Sequence, residues 1–156
     1  MEKNEQEILQ EENELFFNQF NHHDAWLIGN EILRLYCGER SKANGDKGIG
    51  IRISLQNLVL FQYLMDGKKD DSWLIRKENT VMKFSHSSLY IRAVNDRTKQ
   101  YEAFKEDKTL AICGGGFPIR MEGQVRGSIS VSGLVHHEDH DLIIEALRNH
   151  KHKEVR

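Results

Sequence analysis

The sequence predicts an α/β (α+β) domain: a five-stranded antiparallel sheet with helices on both faces. Three observations predict it. Ile49, Ile51, Ile53 and Leu55 alternate with Gly50, Arg52, Ser54 and Gln56, the period-two signature of a strand with one buried face. Gln56-Asn57 then makes a turn, so the apolar run after it pairs back as a hairpin. Helical patterns separate this hairpin from a second group of short strands, in the order helix, helix, strand, strand, helix, helix, three strands, helix.

Each element has its own signal. Residues 4–20 are polar and helix-favouring, with Ile8, Leu9, Leu15, Phe16 and Phe20 as an apolar stripe. Asn21 is an N-cap for a second helix, from His22 to about Glu39, in which Ala25, Ile28, Ile32, Leu35 and Tyr36 share the core side. Residues 41–48 are turn chemistry. After the first strand and its turn, residues 58–65 are apolar on both faces, which makes that strand central in the sheet or covered by another layer or subunit. Asp70, Asp71 and Ser72 cap a helix over 73–82, and another runs from about Ser87 to Thr98. Residues 110–113, 117–121 and 125–133 read as three strands. A last helix over about 137–149 turns Leu142, Ile143, Ala146 and Leu147 inward.

Composition sets the bounds. A chain of 156 residues with 38% apolar residues supports one core, flanked by an acidic helix at 1–20 and a basic tail at 151–156, so that the domain itself occupies 21–150. Lys and Arg number 22 against 24 Asp and Glu, a balance that disfavours nucleic acid as a partner. The longest uncharged run, residues 53–65, is shorter than the roughly 20 apolar residues a membrane span needs. No apolar stretch follows Met1, and Cys37 and Cys113 fit no metal or redox spacing, so the expected location is a reducing cytoplasm. Residues 1–14 carry six Glu against Lys3, whereas Arg148, Lys151, Lys153 and Arg156 make the other end basic. These are either solvated faces or complementary surfaces through which one subunit's first helix meets another's tail.

The residues that could carry chemistry fall into three groups. Gly114, Gly115 and Gly116 leave backbone N–H groups unshielded, as an anion-binding nest or a tight turn beside Pro118; no Lys-Ser/Thr follows, so this is no P-loop. Gly45, Gly48 and Gly50 precede a strand and make no dinucleotide fingerprint. His136, His137 and His140, with Glu138, Asp139 and Asp141, are the densest metal-capable cluster, and also the composition of a capped helix start. Asp70, Asp71, Arg76, Lys77, His86, Ser87 and Ser88 are a polar set of the kind that lines a ligand cleft, with Arg76 and Lys77 suited to a carboxylate or phosphate. His86 beside Ser87 and Ser88 superficially pairs a base with a nucleophile, but no G-x-S-x-G elbow is present and helix capping explains the serines. Cys113 is either a reactive thiol or a buried strand-end cysteine, and Trp26 and Trp73 read as core or interface anchors.

One resemblance spans several of these segments. Gly114-Gly115-Gly116-Phe117-Pro118-Ile119, Gly123, the run 127–133 (GSISVSG) and Glu138-Asp139-His140-Asp141 resemble the closing signature of the HbpS-like and GlcG-like haem-degrading-domain superfamily. With residues 70–77 (DDSWLIRK) and 86–90 (HSSLY), the chain is similar to a cytosolic branch found in bacteria and fungi, from about residue 10 onward. The resemblance implies a profilin-like three-layer α/β/α sandwich and a homo-oligomer, a dimer or higher. It also implies a ligand such as haem, a corrinoid or a related small molecule. A haem iron could take His136, His137 or His140, or else His86, Tyr90 or Met121, and no spacing singles one out. The expected function is therefore a cytoplasmic homo-oligomeric protein that binds haem or another anionic metabolite. A haem-degrading enzyme and a protein-interaction scaffold are the alternatives.

Overall fold

Gln56 and Asn57 hold φ of 51° and 67°, the pair of left-handed residues that a two-residue hairpin turn matched to the sheet twist requires. In the computed structural model, which describes residues 2–154, this turn joins β1 (Gly50–Leu55) to β2 (Leu58–Leu64). A second hairpin joins β3 (Gly116–Met121) to β4 (Gln124–Ser132) through Glu122 and Gly123, again both at positive φ. The strand order is β2-β1-β4-β3 and every neighbouring pair is antiparallel. The α/β architecture thus has four strands, not the expected five.

The missing strand is residues 110–113. This segment has no regular structure and is largely buried, and its neighbour is a helix, not a strand. The helices are α1 (Glu5–Glu14), α2 (His22–Tyr36), α3 (Glu39–Ala43), α4 (Ser72–Phe84), α5 (Ser88–Thr98) and α6 (His136–Glu154), with a 3-10 turn at Glu102–Glu106. Side chains of α4 take up the segment's backbone groups: Thr80 Oγ1 accepts from the Ala111 N–H at 2.8 Å, and Arg76 Nε donates to the Leu110 carbonyl at 2.8 Å. Once those groups are satisfied, a ladder is not needed to bury them.

The sheet has two unlike faces. Ile51, Ile53, Phe117, Ile119, Ile129 and Val131 face α2 and α6, where Ala25, Ile28, Ile32, Leu142, Ile143 and Ala146 complete the core. Their sequence neighbours, Ser54, Ser128, Ser130 and Ser132 with Gly116, form the other face and lie beneath α4. Small residues there let the helix backbone come close: a Cβ added at Gly116 would stand 2.9 Å from the Lys77 carbonyl oxygen. This is the three-layer helix–sheet–helix sandwich that the resemblance implied.

Two expectations change at the edges of the sheet. β2 is an edge strand, so the central placement falls and cover by another layer or subunit is the alternative left, with Leu58, Val59 and Tyr63 exposed on it. The first helix stops at Glu14 instead of running to residue 20; the chain then extends, and the Phe17 N–H donates to the Arg120 carbonyl at 2.8 Å beside β3. Extension changes which side chains point inward. Leu15 and Phe17 are buried and Phe16 turns outward, the alternation of a strand-like segment rather than a helical stripe. The short α3 overlaps the start of the turn predicted at 41–48, and the Asn21 cap of α2 is present as a reciprocal pair with Asp24.

Candidate functional site

Gly114, Gly115 and Gly116 carry the chain from its contact with α4 into β3. Their N–H groups do not form an open anion nest: that of Gly114 donates to His136 Nδ1 at 3.0 Å and that of Gly116 to Ser88 Oγ at 2.9 Å. The glycines permit close approach instead. Gly115 holds φ +118°, and a Cβ there would stand 2.5 Å from both Lys77 Nζ and the Val131 carbonyl oxygen. Lys77 is buried beneath them, donating to that carbonyl at 2.8 Å and to Asp139 Oδ2 at 3.1 Å.

Asp139 closes this buried knot from the start of α6, accepting also from the Leu134 N–H at 3.1 Å. Burial pushes its carboxyl up to about 6, even though Lys77 opposes the shift. Lys77 therefore ties α4 to β4 and α6, and stands 3% exposed, out of a ligand's reach. Burial also raises the Cys113 thiol, which makes it a poor nucleophile.

The outer members of the predicted set lie elsewhere on α4. Asp70 accepts from the Ser72 N–H at 3.1 Å and its hydroxyl at 2.7 Å, and these bonds hold its carboxyl below the usual range. Asp71 accepts from Gln62 of β2 at 3.1 Å. The Arg76 guanidinium lies 3.9 Å over the half-exposed Trp73 ring, a stacked arrangement suited to a planar partner.

The densest polar constellation joins the α4–α5 turn to α1. Glu12 is 2% exposed. Its Oε2 accepts from the Ser87 N–H and hydroxyl, both at 3.1 Å, and its Oε1 meets His86 Nδ1 at 3.0 Å and Arg120 Nη2 at 3.2 Å. Arg120 is itself fixed by the Ser85 carbonyl at 2.8 Å. One residue earlier on α1, Glu11 meets His140 Nε2 at 2.8 Å and pairs with Lys3. Burial raises the Glu11 carboxyl, but the bonds from His140 and Lys3 outweigh it, so the net shift is downward.

The histidines of α6 separate. His140 is wholly buried. His136 accepts from Gly114 at Nδ1 and meets Glu2 at Nε2, 3.1 Å away, and burial lowers its pKa. Among the described residues no group of three or more His, Cys, Asp or Glu side chains is arranged to hold a metal ion. The expected His136, His137 and His140 metal set is corrected accordingly: the first and third are spent on different carboxylates. Sequence reasoning missed Glu11, Glu12 and Arg120. The two glutamates sit in a run of acids that reads as a solvated face, and nothing local marks them as buried.

Comparison with known proteins agrees with this architecture. A family model described as haem degrading protein HbpS-like matches residues 20–148. A UPF0303 protein of Brucella canis is 39% identical over 153 residues, covering 92% of this chain and 85% of its own. Among solved structures, that of the Ybr137w protein superposes with a TM-score of 0.83 at 26% identity, covering 97% of this chain and 90% of the other. A crystal structure of a PduOC–haem complex has a TM-score of 0.64 at 14% identity over 83% of this chain and 93% of the other, a likeness of fold alone. The helix–sheet–helix sandwich is thus shared well beyond this sequence, and the chain belongs to the HbpS-like family.

Proposed function

We propose that the protein is a cytoplasmic, homo-oligomeric binding protein for haem, another tetrapyrrole or a related anionic small molecule. The observation that carries this is His86. Its side chain is 34% exposed and its Nδ1 is held by the buried Glu12 carboxylate at 3.0 Å, while Nε2 makes no hydrogen bond within the described residues. A histidine oriented by a carboxylate on one nitrogen and open at the other is the arrangement of a metal-ligating imidazole. The residues fit a haem accordingly: His86 would take the iron, and Tyr90, with its ring 4.4 Å from the imidazole, would flank it. His140, with no exposed surface, and His136, with both nitrogens engaged, do not offer that contact. Membership of the HbpS-like family and the fold shared with the PduOC–haem complex support the reading.

Haemin titration followed at the Soret band tests it, with His86→Ala and the His136/His137/His140 triple alanine variant alongside. Saturation near about one haem per subunit, lost in His86→Ala and kept in the triple variant, is expected. Weak, unsaturable binding common to all three proteins would refute a specific tetrapyrrole site.

A scaffold role without a small ligand is favoured by a different observation. Trp26, Leu58, Val59 and Tyr63 are all exposed, three of them on an edge strand whose outer side has no partner among the described residues. Such an edge is a template for pairing with a second copy.

A further inference from the structure

We propose that His86, Ser87 and Arg120 form a receptor for the carboxylate of a small apolar acid, and that Glu12 fills this receptor in cis. Four contacts from three residues divide evenly between the two oxygens of Glu12, which is the pattern of a planar two-oxygen acceptor. None of the donors belongs to α1. Ser87 is the N-cap of α5, where helix N–H groups favour an anion, and Arg120 comes from β3, fixed by the Ser85 carbonyl. The receptor is therefore built by the body of the fold, and the first helix supplies only the occupant.

The surroundings say what would compete with Glu12. Glu12 lies two residues before the end of α1 and lines, with Arg120, a cleft of about 370 Å³ whose other walls are Asn13, Phe16, Phe17, Asn18, Glu122 and Gly123. Phe16 is 46% exposed on its wall. An acid whose carboxylate replaces that of Glu12 would lay its apolar body against Phe16, and the last turn of α1 would yield to admit it. An intramolecular occupant acts at an effective concentration in the millimolar range or above. The ligand must overcome that, so α1 sets the threshold at which the site opens. The inference deepens the binding role proposed above and rests on it only for the idea that the protein carries a small anionic ligand.

Benzoate is the probe and benzamide its neutral counterpart. In Glu12→Ala, benzoate should shift the Ser87 amide resonance saturably and raise Tm, benzamide should do neither, and adding Arg120→Ala should abolish the response. In the unsubstituted protein the same resonance should move with a Kd at least about tenfold weaker, because Glu12 competes. Equal responses to benzoate and benzamide in Glu12→Ala, or none to either, would overturn the proposal. If Glu12→Ala does not fold, the unsubstituted protein decides. A benzoate-dependent Ser87 shift with faster hydrogen exchange over residues 8–14 supports the receptor, and no shift up to the solubility limit refutes it. Haemin binding by the unsubstituted protein, read at the Soret band, is a separate readout: its absence with benzoate binding intact removes the tetrapyrrole reading alone, and the converse removes this one alone.

Discussion

Gly115 joins two constraints that a side chain cannot meet together: a left-handed φ of +118° and a site where its Cβ would stand 2.5 Å from Lys77 Nζ and from a carbonyl oxygen. Gly115→Ala should therefore cost about 2–4 kcal/mol in urea denaturation, through backbone strain and displacement of the Lys77–Asp139 pair. The pair has its own pH signature. Burial raises the folded-state pKa of Asp139 from 3.8 to about 6, so the folded state holds this proton more tightly than the unfolded one. Its contribution is fully present below the unfolded pKa and is lost as pH rises through the folded one. Relative to Asp139→Asn, the unsubstituted protein should lose about 2 kcal/mol as pH rises from about 4 to 6. A flat difference between the two across that window would contradict the assignment. Cys113, whose thiol burial raises, should react with iodoacetamide at least about tenfold more slowly than the exposed Cys37, as peptide mass spectrometry would show.

At the scale of elements, α1 is where reading the chain and folding it diverge most. Six glutamates in the first 14 residues of the chain suggest a solvated helix, yet Glu11 and Glu12 are buried together with Ile8. Each carboxylate is held by donors from far along the chain, His140 in one case and Ser87 with Arg120 in the other. Glu5 and Lys3 add outer ties to Arg97 and Asp141. Several charges of the acidic end thus find partners within one chain, outside the basic tail. Glu11→Ala should cost about 3 kcal/mol, because it strips the Nε2 partner from a wholly buried His140 whose Nδ1 already lacks one. Thermal denaturation would check it; a cost under about 1 kcal/mol would mean that water replaces the carboxylate.

For the whole molecule, the two sheet edges are treated differently. The segment after α1 lies against β3, with Phe17 bridging to Met121, whereas β2 presents Val59 and Tyr63 outward. If the proposed homo-oligomer forms through that edge, Val59→Lys with Tyr63→Lys should lower the mass measured by sedimentation velocity towards that of the 18.2 kDa chain. An unchanged mass with native circular dichroism would place the contact elsewhere. No helix among the described residues is long and apolar enough to cross a membrane.

What the sequence by itself determined follows from local physics. The first hairpin turn, the α2 cap, the α5 cap at Ser87 and the buried face of β1 are written in neighbouring residues, through positive-φ turn positions, side-chain caps and periodicity of two or 3.6. The family signature at 114–119 and 127–133 was legible for the same reason: glycines are spaced where backbones must approach. Tertiary structure decided the rest. It turned residues 110–113 from a strand into a segment bonded to α4, and moved β2 to the edge. It buried Lys77 with Asp139, and split the α6 histidines between Gly114, Glu2 and Glu11. Those outcomes depend on pairings between residues far apart in the chain, such as Glu12 with Arg120. No local pattern encodes them, because the energy of a charge is set by what surrounds it after folding.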